Sequence, residues 1–191
     1  MILLVRHGET EWNLSRRIQG WGDSPLTARG AAQAEAIGGH LAQTPEARGM
    51  PIVASPLGRA RRTAELIQAV RGDSSPIVFD DRLKEVSIGS WDGLDRDEIE
   101  TVSPGIFARY GQEWYFRTPD GETYDAFAGR LGGWLAEFGD RTVIVVAHGI
   151  VTRVLRGLYA GLPRLEALSL SVPQGVIWRL ADGRIEEIAV D

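Results

Sequence analysis

The sequence has 191 residues, of which 43% are hydrophobic, and its 26 acidic against 21 basic residues give a net charge of -5. This length and composition are typical of one compact domain, so residues 1–191 are predicted to fold as a single domain. The acidic balance argues against a nucleic-acid partner or an anionic membrane surface, and no apolar stretch is long enough to span a membrane.

The chain has no cysteine and three histidines. It therefore offers no disulfide framework, no thiolate nucleophile and little for a metal site. No basic segment precedes the first apolar residues, and no small-residue cleavage site follows them. We expect a cytoplasmic protein that uses no metal and no cofactor.

Strand and helix patterns alternate in the first part of the chain. The apolar run at residues 1–5 predicts the first strand, and Thr27 is the predicted N-cap of the first long helix. Residues 51–55 predict a second strand. It leads into a helix that carries Val70 on its apolar face and ends at Gly72. A third short strand is predicted at residues 76–79.

The later part of the chain continues the alternation after an irregular stretch. Residues 80–121 mix short helical pieces with glycine, proline and aromatic residues, which is typical of functional loops or lids. A helix is predicted from Tyr124, a fully buried strand at residues 142–147, and then a last helix with Leu158 on its apolar face. Two alternating strands around an Asp-Gly turn end the chain. The sequence therefore predicts an α/β three-layer sandwich, with a mostly parallel central sheet and helices on both faces.

Basic side chains follow three of the predicted strands. Arg6 and His7 come directly after the first strand, Arg59 just after the second, and His148 after the strand at residues 142–147. Because the carboxyl ends of parallel strands meet at one edge of a sheet, we expect these side chains to share one crevice. Two guanidinium and two imidazole groups together attract an anion, and a phosphate monoester is the natural occupant. The helix that begins near Gly149 is expected to add backbone N–H donors to that anion site.

Such a crevice predicts attack on phosphorus. With no Ser-His-Asp arrangement, cysteine or metal cluster in the pattern, the candidate nucleophile is a histidine that attacks through a neutral ring nitrogen. Glu85, in the irregular stretch after the third strand, is the best carboxylate to protonate the departing alkoxide. To donate that proton, Glu85 needs a raised pKa.

Five segments resemble the motifs of the histidine phosphatase superfamily, the phosphoglycerate mutase-like proteins. They are, in chain order, LVRHGETEWN, GWGDSPLTARGAAQA, ASPLGRARRTAE, LKEVSIGSWDG and VVAHGIVTR. The resemblance runs from residue 2 to about residue 156. It implies the phosphoglycerate mutase-like fold over that range.

The resemblance also implies roles for individual residues. His7 matches the phosphorylated nucleophile and Glu85 the proton donor, whereas the phosphate clamp would consist of Arg6, Arg59 and His148. Positions that assist at the phosphate pocket in relatives correspond to Asn13 and Gln19.

These roles favour a metal-independent phosphatase acting on a small phosphorylated metabolite. Two rivals remain: a catalytically weak relative that binds phosphorylated ligands or proteins, and a cofactor-dependent phosphoglycerate mutase. Glu85 is followed by VSIGSWDG, which resembles the phosphatase members and departs from the E-R-H-Y-G segment typical of the mutases. A homodimer is left open.

The stretch between Glu85 and Glu122 is expected to shape the pocket. Its basic residues are Arg96, Arg109 and Arg117, and this small number argues against the second anionic centre that a mutase needs. Substrate selectivity is expected around residues 100–123, as in relatives. The three consecutive aromatic residues at 114–116 are expected either to line a substrate lid or to fill the loop region.

Overall fold

A computed structural model describes residues 1–138 and 140–190 of the chain. Within these residues the strands are β1 (Ile2–Arg6), β2 (Ile52–Ala54), β3 (Ile77–Phe79), β4 (Val143–Ala147), β5 (Val176–Ala181) and β6 (Arg184–Ala189). The α-helices are α1 (Glu11–Leu14), α2 (Ala28–Gln43), α3 (Gly58–Arg71), α4 (Arg96–Val102), α5 (Ile106–Tyr110), α6 (Tyr124–Phe138), α7 (Gly149–Ala160) and α8 (Arg164–Ser169). Short 3-10 turns cover Pro45–Ala47, Asp81–Leu83, Gly89–Trp91 and Gly111–Phe116.

The six strands form one sheet in the order β3-β2-β4-β1-β5-β6. The four strands from β3 to β1 are parallel to their neighbours, whereas β5 is antiparallel to β1 and β6 is antiparallel to β5. At the turn between β5 and β6, Asp182 and Gly183 both have positive φ angles, 52° and 72°. Such angles are those of the tight hairpin that an Asp-Gly pair favours. The predicted sandwich and its mostly parallel sheet are confirmed.

Side chains alternate between two buried layers because successive residues of a strand point to opposite faces of the sheet. From β1, Ile2 and Leu4 pack with α6, α7 and α8, whereas Leu3 and Val5 pack with α2 and α3. All five residues of β4 are buried. A fully buried Val, Leu or Ile stabilises the fold by about 1.5–3 kcal/mol, so the ends of these strands are firmly placed.

Helix boundaries follow the capping signals of the sequence. Thr27 caps α2 by accepting a hydrogen bond from the Gly30 N–H at 3.0 Å. Gly72 ends α3 with a left-handed φ of 69°, a conformation that glycine adopts without steric cost. Among the helices of the described residues, none combines the length and the apolar character that a membrane crossing needs.

The predicted apolar faces are wrong at two positions, and two helices, α1 and α8, were not predicted. Val70 is 42% exposed, because it packs beside Gly38 of α2, which has no side chain to cover it. Leu158 is 38% exposed, because α8 contacts α7 at Gly157 instead. Helix α7, which was predicted to be the last helix, is followed by α8, a six-residue helix that ends at Ser169.

Residues 86–121 contribute Val86, Ile88 and Phe116 to the main core and also form a small cluster of their own. Trp91, Ile99, Ile106 and Trp114 make a separate buried cluster there. The ring centroids of Trp91 and Trp114 are 6.5 Å apart. Of the three consecutive aromatic residues, Trp114 and Phe116 fill the interior.

Candidate active site

The site lies at the carboxyl ends of three adjacent strands, β2, β4 and β1. The His7 N–H donates to the Ala147 carbonyl at 2.9 Å, which extends the β1–β4 ladder by one residue. The Ser55 N–H donates to the Val146 carbonyl at 3.0 Å on the other side of β4. The predicted convergence of the strand ends is therefore confirmed, and it places Arg6, His7 and His148 on neighbouring strand ends.

The His7 ring has one defined tautomer. Its Nδ1 lies 2.8 Å from the Gly8 carbonyl, which can only accept, so Nδ1 carries the proton. The Nε2 atom then holds a lone pair, and it accepts from Arg59 Nε at 3.3 Å. Burial of the ring lowers the pKa of His7 well below its usual value, and the charges of Arg59 and Arg6 lower it further. His7 is therefore a neutral imidazole with an unprotonated Nε2.

Arg59 lies in the first turn of α3, and its guanidinium is almost completely buried. Besides the contact with His7, it donates to the Gly22 carbonyl at 2.8 Å and to the Gly20 carbonyl at 2.8 Å. An ion pair of 3.2 Å to Asp23 completes its contacts. Arg59 therefore joins the loop at residues 20–23 to the His7 ring.

His148 is fully buried and forms the N-cap of α7. Its Nε2 lies 2.7 Å from Ser55 Oγ, and its ring centroid is 5.2 Å from that of His7. Within residues 1–138 and 140–190, its Nδ1 has no hydrogen-bond partner. Burial lowers the pKa of His148 well below its usual value, and the nearby charge of Arg59 adds to this effect. The ring is therefore a second neutral imidazole beside the first.

Glu85 is a buried acid at the N-terminus of α7. Its carboxyl oxygens accept from the backbone N–H groups of Val86 at 3.0 Å, Ile150 at 3.0 Å and Val151 at 3.3 Å. Burial raises the pKa of Glu85, although these hydrogen bonds and the charges of Arg59 and Arg6 oppose the shift. The direction agrees with the raised pKa that a proton donor needs.

The contacts of Glu85 correct one expectation about the helix. Two N–H groups in the first turn of α7, those of Ile150 and Val151, were expected to face the bound anion, but they bind Glu85. The reason is geometric, since a carboxyl group that reaches a helix N-terminus binds its unpaired N–H groups. The helix end therefore fixes the acid rather than the substrate.

The main chain of Glu85 is also held in place. Its carbonyl accepts from Trp21 Nε1 at 2.9 Å and from Arg130 Nη2 at 3.1 Å. Arg130 is itself fixed by two bonds to Glu122, at 2.8 and 2.9 Å. The acid therefore sits on a segment that is anchored from both sides.

Three arginines hold consecutive carbonyls of the segment after α8. Arg153 Nε donates to Leu170 at 2.8 Å, Arg156 donates to Ser171, and Arg6 Nη1 donates to Val172 at 2.8 Å. The three donors thus come from β1 and α7. Arg6 Nε is buried and has no partner within the described residues. Segment 170–172 therefore sets the positions of Arg6 and Arg153.

Asn13 and Gln19 lie on the N-terminal side of the site. The Asn13 side-chain oxygen accepts from Gln174 Nε2 at 3.0 Å and from the Thr10 N–H at 3.3 Å. Gln19 accepts from Thr10 Oγ1 at 2.8 Å and donates to Ser24 Oγ at 3.1 Å. Because the Asn13 oxygen is occupied, its amide nitrogen is the group that remains for a ligand.

A cavity of about 260 Å³ joins these groups. The predicted site residues that line it are Arg6, His7, Asn13, Gln19, Glu85 and Gly149. A methyl group added to Gly149 would lie 3.7 Å from both Arg6 Nε and Glu85 Oε2, so this glycine lies between the cation and the acid. Arg59 and His148 do not line the cavity. Arg59 contacts the His7 ring at its Nε2 atom, at 3.3 Å, and the His148 ring lies beside it, with the ring centroids 5.2 Å apart.

The cavity also contains residues that the sequence interpretation missed. They are Arg17 and Arg153. Arg153 follows Gly149 by four residues on α7, so helical spacing already placed it on the same face. Tyr115 belongs to the three aromatic residues that were expected either to line a substrate lid or to fill the loop region, and it lines the cavity.

The basic residues of segment 86–121 are used elsewhere. Arg96 lies 3.7 Å from the ring centroid of Phe107, and Arg117 lies 4.7 Å from that of Tyr110. None of the three arginines of this segment lines the cavity. The small number of arginines in this segment was expected to leave the cavity without cations for a second anionic group. That expectation is corrected, because Arg17 and Arg153 supply cations from outside the segment. Among the described residues, no group of three or more His, Asp or Glu side chains could hold a metal ion.

Close backbone contact fixes the segment that follows His7. A Cβ atom on Gly8 would lie 2.2 Å from the Gly30 carbonyl oxygen, and one on Gly30 would lie 2.0 Å from the Glu9 carbonyl oxygen. The Gly8 N–H also donates to Thr63 Oγ1 at 3.1 Å. Helix α2 therefore packs directly on the main chain beside His7.

The chain is similar to proteins of one family over almost its whole length. The family model of the histidine phosphatase superfamily (branch 1) matches residues 2–182. A probable phosphoglycerate mutase GpmB from Citrobacter koseri is 36% identical over 214 residues, which cover 100% of this chain and 92% of that protein.

Solved structures agree with this similarity. Bacillus stearothermophilus YhfR has a TM-score of 0.81 and 32% identity, with 100% of this chain and 95% of that chain covered. A mycobacterial glucosyl-3-phosphoglycerate phosphatase in complex with VO3 has a TM-score of 0.80 and 28% identity, with 99% of this chain and 96% of that chain covered.

Proposed function

Because the chain belongs to the histidine phosphatase superfamily (branch 1), we propose that it hydrolyses small phosphate monoesters through a phosphohistidine on His7, without a metal ion. The observation that carries this proposal is the pairing of two groups in one cavity. His7 presents an unprotonated Nε2, and Glu85 is an acid whose pKa is raised by burial. A nucleophile and a proton donor are what cleavage of a phosphate ester needs.

The first step forms the phosphoenzyme. His7 Nε2 attacks phosphorus, a P–N bond forms, and the P–O bond to the alcohol breaks. The Glu85 carboxyl proton passes to the departing oxygen, so the alcohol leaves neutral and Glu85 becomes a carboxylate. The Nδ1–H bond to Gly8 stays in place and holds the ring while its other nitrogen reacts.

The second step releases phosphate. Water attacks phosphorus, the Glu85 carboxylate accepts a proton from that water, and the P–N bond breaks. Inorganic phosphate leaves, and His7 and Glu85 return to their starting protonation states. Attack by water on the same phosphorus atom makes Glu85 first an acid and then a base.

The phosphoryl oxygens need donors throughout both steps. Arg6 and Asn13 line the cavity, and we assign this role to Arg6 Nε, which lacks a partner among the described residues, and to the Asn13 amide nitrogen. Arg59 Nε lies 3.3 Å from the reacting nitrogen of His7, so it can bind an oxygen of a phosphoryl group attached there. The His148 ring packs beside the His7 ring, with the ring centroids 5.2 Å apart. The VO3 complex of the mycobacterial phosphatase supports a phosphoryl site in this fold, because vanadate resembles phosphate.

Trapping the intermediate tests the proposal. Labelled glycerol 3-phosphate is mixed with the wild type, His7→Ala and the control His40→Ala, which changes a residue in the last turn of α2. Quenching in alkali should preserve a protein-bound label that acid removes, in the wild type and the control alone. Phosphate release should continue in EDTA. A full adduct in His7→Ala, or activity abolished by EDTA, would contradict the proposal.

A mutase is the second candidate, because the Citrobacter koseri relative carries that name. A mutase must keep water from the phosphoenzyme until the product binds again. Segment 86–121 contributes Val86 and Tyr115 to the cavity lining, whereas Trp91 and Trp114 pack within the segment and Phe116 packs into the main core. We therefore expect 3-phosphoglycerate with catalytic 2,3-bisphosphoglycerate to give inorganic phosphate and glycerate. Phosphorus NMR that shows 2-phosphoglycerate forming faster than phosphate would favour the mutase.

A further inference from the structure

Arg153 brings a positive charge to the cavity, and no carboxylate of the described residues neutralises that charge. Its Nε donates to the Leu170 carbonyl at 2.8 Å, and its Nη1 donates to the Gln112 side-chain oxygen at 3.2 Å. Both partners are uncharged. Within the part of the chain that the structure describes, no carboxylate lies within 4.0 Å of this guanidinium. Two bonds therefore fix the group, and neither of them uses Nη2.

The other charges of the cavity leave Arg153 in excess. The acid in the lining is Glu85, and burial favours its neutral form. A phosphate monoester carries at most two negative charges, and the cations beside His7 that face them are Arg6 and Arg59. Asp23 pairs with Arg59 at 3.2 Å, but the Asp23 side chain is 41% exposed, so water screens its charge. Arg17 pairs with Glu98 at 3.3 Å, but both side chains are more than 40% exposed, so the pair is weak. Arg153 is thus a cation without a counter-charge when a simple phosphate ester is bound.

The position of Arg153 separates it from the phosphate end of the cavity. Gly149 lies between Arg6 Nε and Glu85 Oε2. Four residues of α-helix then bring the chain to Arg153, a rise of about 6 Å along α7. A group bound by Arg153 is therefore attached to the alcohol part of the ester, at some distance from phosphorus.

We propose that Arg153 binds a second anionic group of the substrate, a carboxylate or a second phosphate, and that acidic phosphate monoesters are the preferred substrate class. This inference rests on the proposed phosphatase function. Gln112 belongs to the 3-10 turn Gly111–Phe116, which also supplies Tyr115 to the cavity. That turn positions the guanidinium, so segment 86–121 acts on selectivity through Arg153 instead of through its own arginines.

Matched substrates test the inference. The first pair is 3-phosphoglycerate and glycerol 3-phosphate, which share a three-carbon skeleton and differ in the carboxylate. The second pair is fructose 1,6-bisphosphate and fructose 6-phosphate, which differ in the second phosphate. The wild type should prefer the more acidic member of at least one pair by about tenfold or more in kcat/KM, as a charge-assisted hydrogen bond allows. The pair that shows the preference identifies the acidic group.

Three variants locate the effect. Arg153→Gln should reduce the preference roughly tenfold, and Arg153→Lys, which keeps the charge, should retain part of it. Arg109→Gln, an exposed change on α5, should retain the wild-type preference. Equal losses for both members of a pair in Arg153→Gln would mean that Arg153 only supports segment 170–172, and would overturn the inference.

Hydrolysis of p-nitrophenyl phosphate distinguishes failure of the second-anion inference from failure of the proposed phosphatase function. If the wild type hydrolyses it through a His7 adduct but prefers neither acidic ester, the second-anion inference is wrong and the phosphatase proposal stands. If no ester is hydrolysed, the proposed function is wrong and the inference falls with it.

Discussion

Replacing Glu85 by glutamine tests the proton donor most directly. The amide has almost the same size but cannot deliver the proton of a carboxylic acid. General acid catalysis contributes roughly 10²- to 10⁴-fold, or about 2.7–5.4 kcal/mol of barrier. We expect Glu85→Gln to lower kcat/KM for glycerol 3-phosphate by that factor. The loss for p-nitrophenyl phosphate should stay within about tenfold, because p-nitrophenolate leaves without a proton.

The structure also gives the cost of this change to folding. The Glu85 carboxyl accepts three backbone N–H groups, from Val86, Ile150 and Val151. A glutamine has one oxygen, so its NH₂ group must face at least one of these donors. A buried donor without a partner costs about 1–3 kcal/mol. For a chain of this size, Tm should fall by about 2–4 °C for each kcal/mol lost.

The assay compares kcat/KM for both esters at 25 °C, with circular dichroism to show that the variant is folded. Glu35→Gln, an exposed change on α2, is the control and should keep both rates. Wild-type activity should fall as the pH rises through the raised pKa of Glu85, since the acid then loses its proton. That descending limb should disappear in Glu85→Gln. Equal losses for the two esters would show that Glu85 positions groups instead of donating a proton.

Two further predictions concern stability. His7 and His148 have lowered pKa values in the folded protein, whereas the unfolded chain takes up protons near pH 6.5, so their contribution is complete above about pH 6.5 and falls below it. Each buried histidine should lower the free energy of unfolding by roughly 1 kcal/mol at pH 5.5. The fall in Tm from pH 7.5 to 5.5 should therefore be about 2–4 °C smaller in His148→Gln than in the wild type. An equal fall in both proteins would contradict this prediction. On α2, Gly30→Ala should strongly lower Tm because the new Cβ atom would lie 2.0 Å from the Glu9 carbonyl oxygen. Gly39→Ala, whose Cβ atom would have no atom within 4 Å, should stabilise the helix by about 0.5–1 kcal/mol. The same change in Tm in both variants would refute the steric argument.

The strand ends were predictable because short-range signals define them. An apolar run that stops at Arg6, and another that stops at His148, mark where two strands leave the sheet. Parallel pairing then brings both to one edge, as the register of β1 and β4 confirms. Positions fixed by alternation and by strand order can therefore be derived from a single sequence.

Other features depend on packing that no local pattern records. Arg59 and His148 were predicted together with Arg6, but the sequence does not tell which of the three lines the cavity and which contact the His7 ring outside that lining. The N–H groups at the start of α7 were expected to bind the anion, and only the position of Glu85 in space shows that they bind the acid. Arg153 was accessible from helical spacing, yet its excess charge appears only when its neighbours are known.

The place of β1 in the sheet has a consequence for the order of events on the ribosome. β1 is synthesised first, yet its two neighbours are β4, from Val143, and β5, from Val176. Both edges of the strand that ends at Arg6 can therefore be paired only after β5 has been synthesised. Contacts of such long sequence separation slow folding, and an unpaired apolar strand invites association with other chains. Nascent chains that stop before β5 are thus expected to be both inactive and prone to aggregate, although every proposed catalytic residue has already been made.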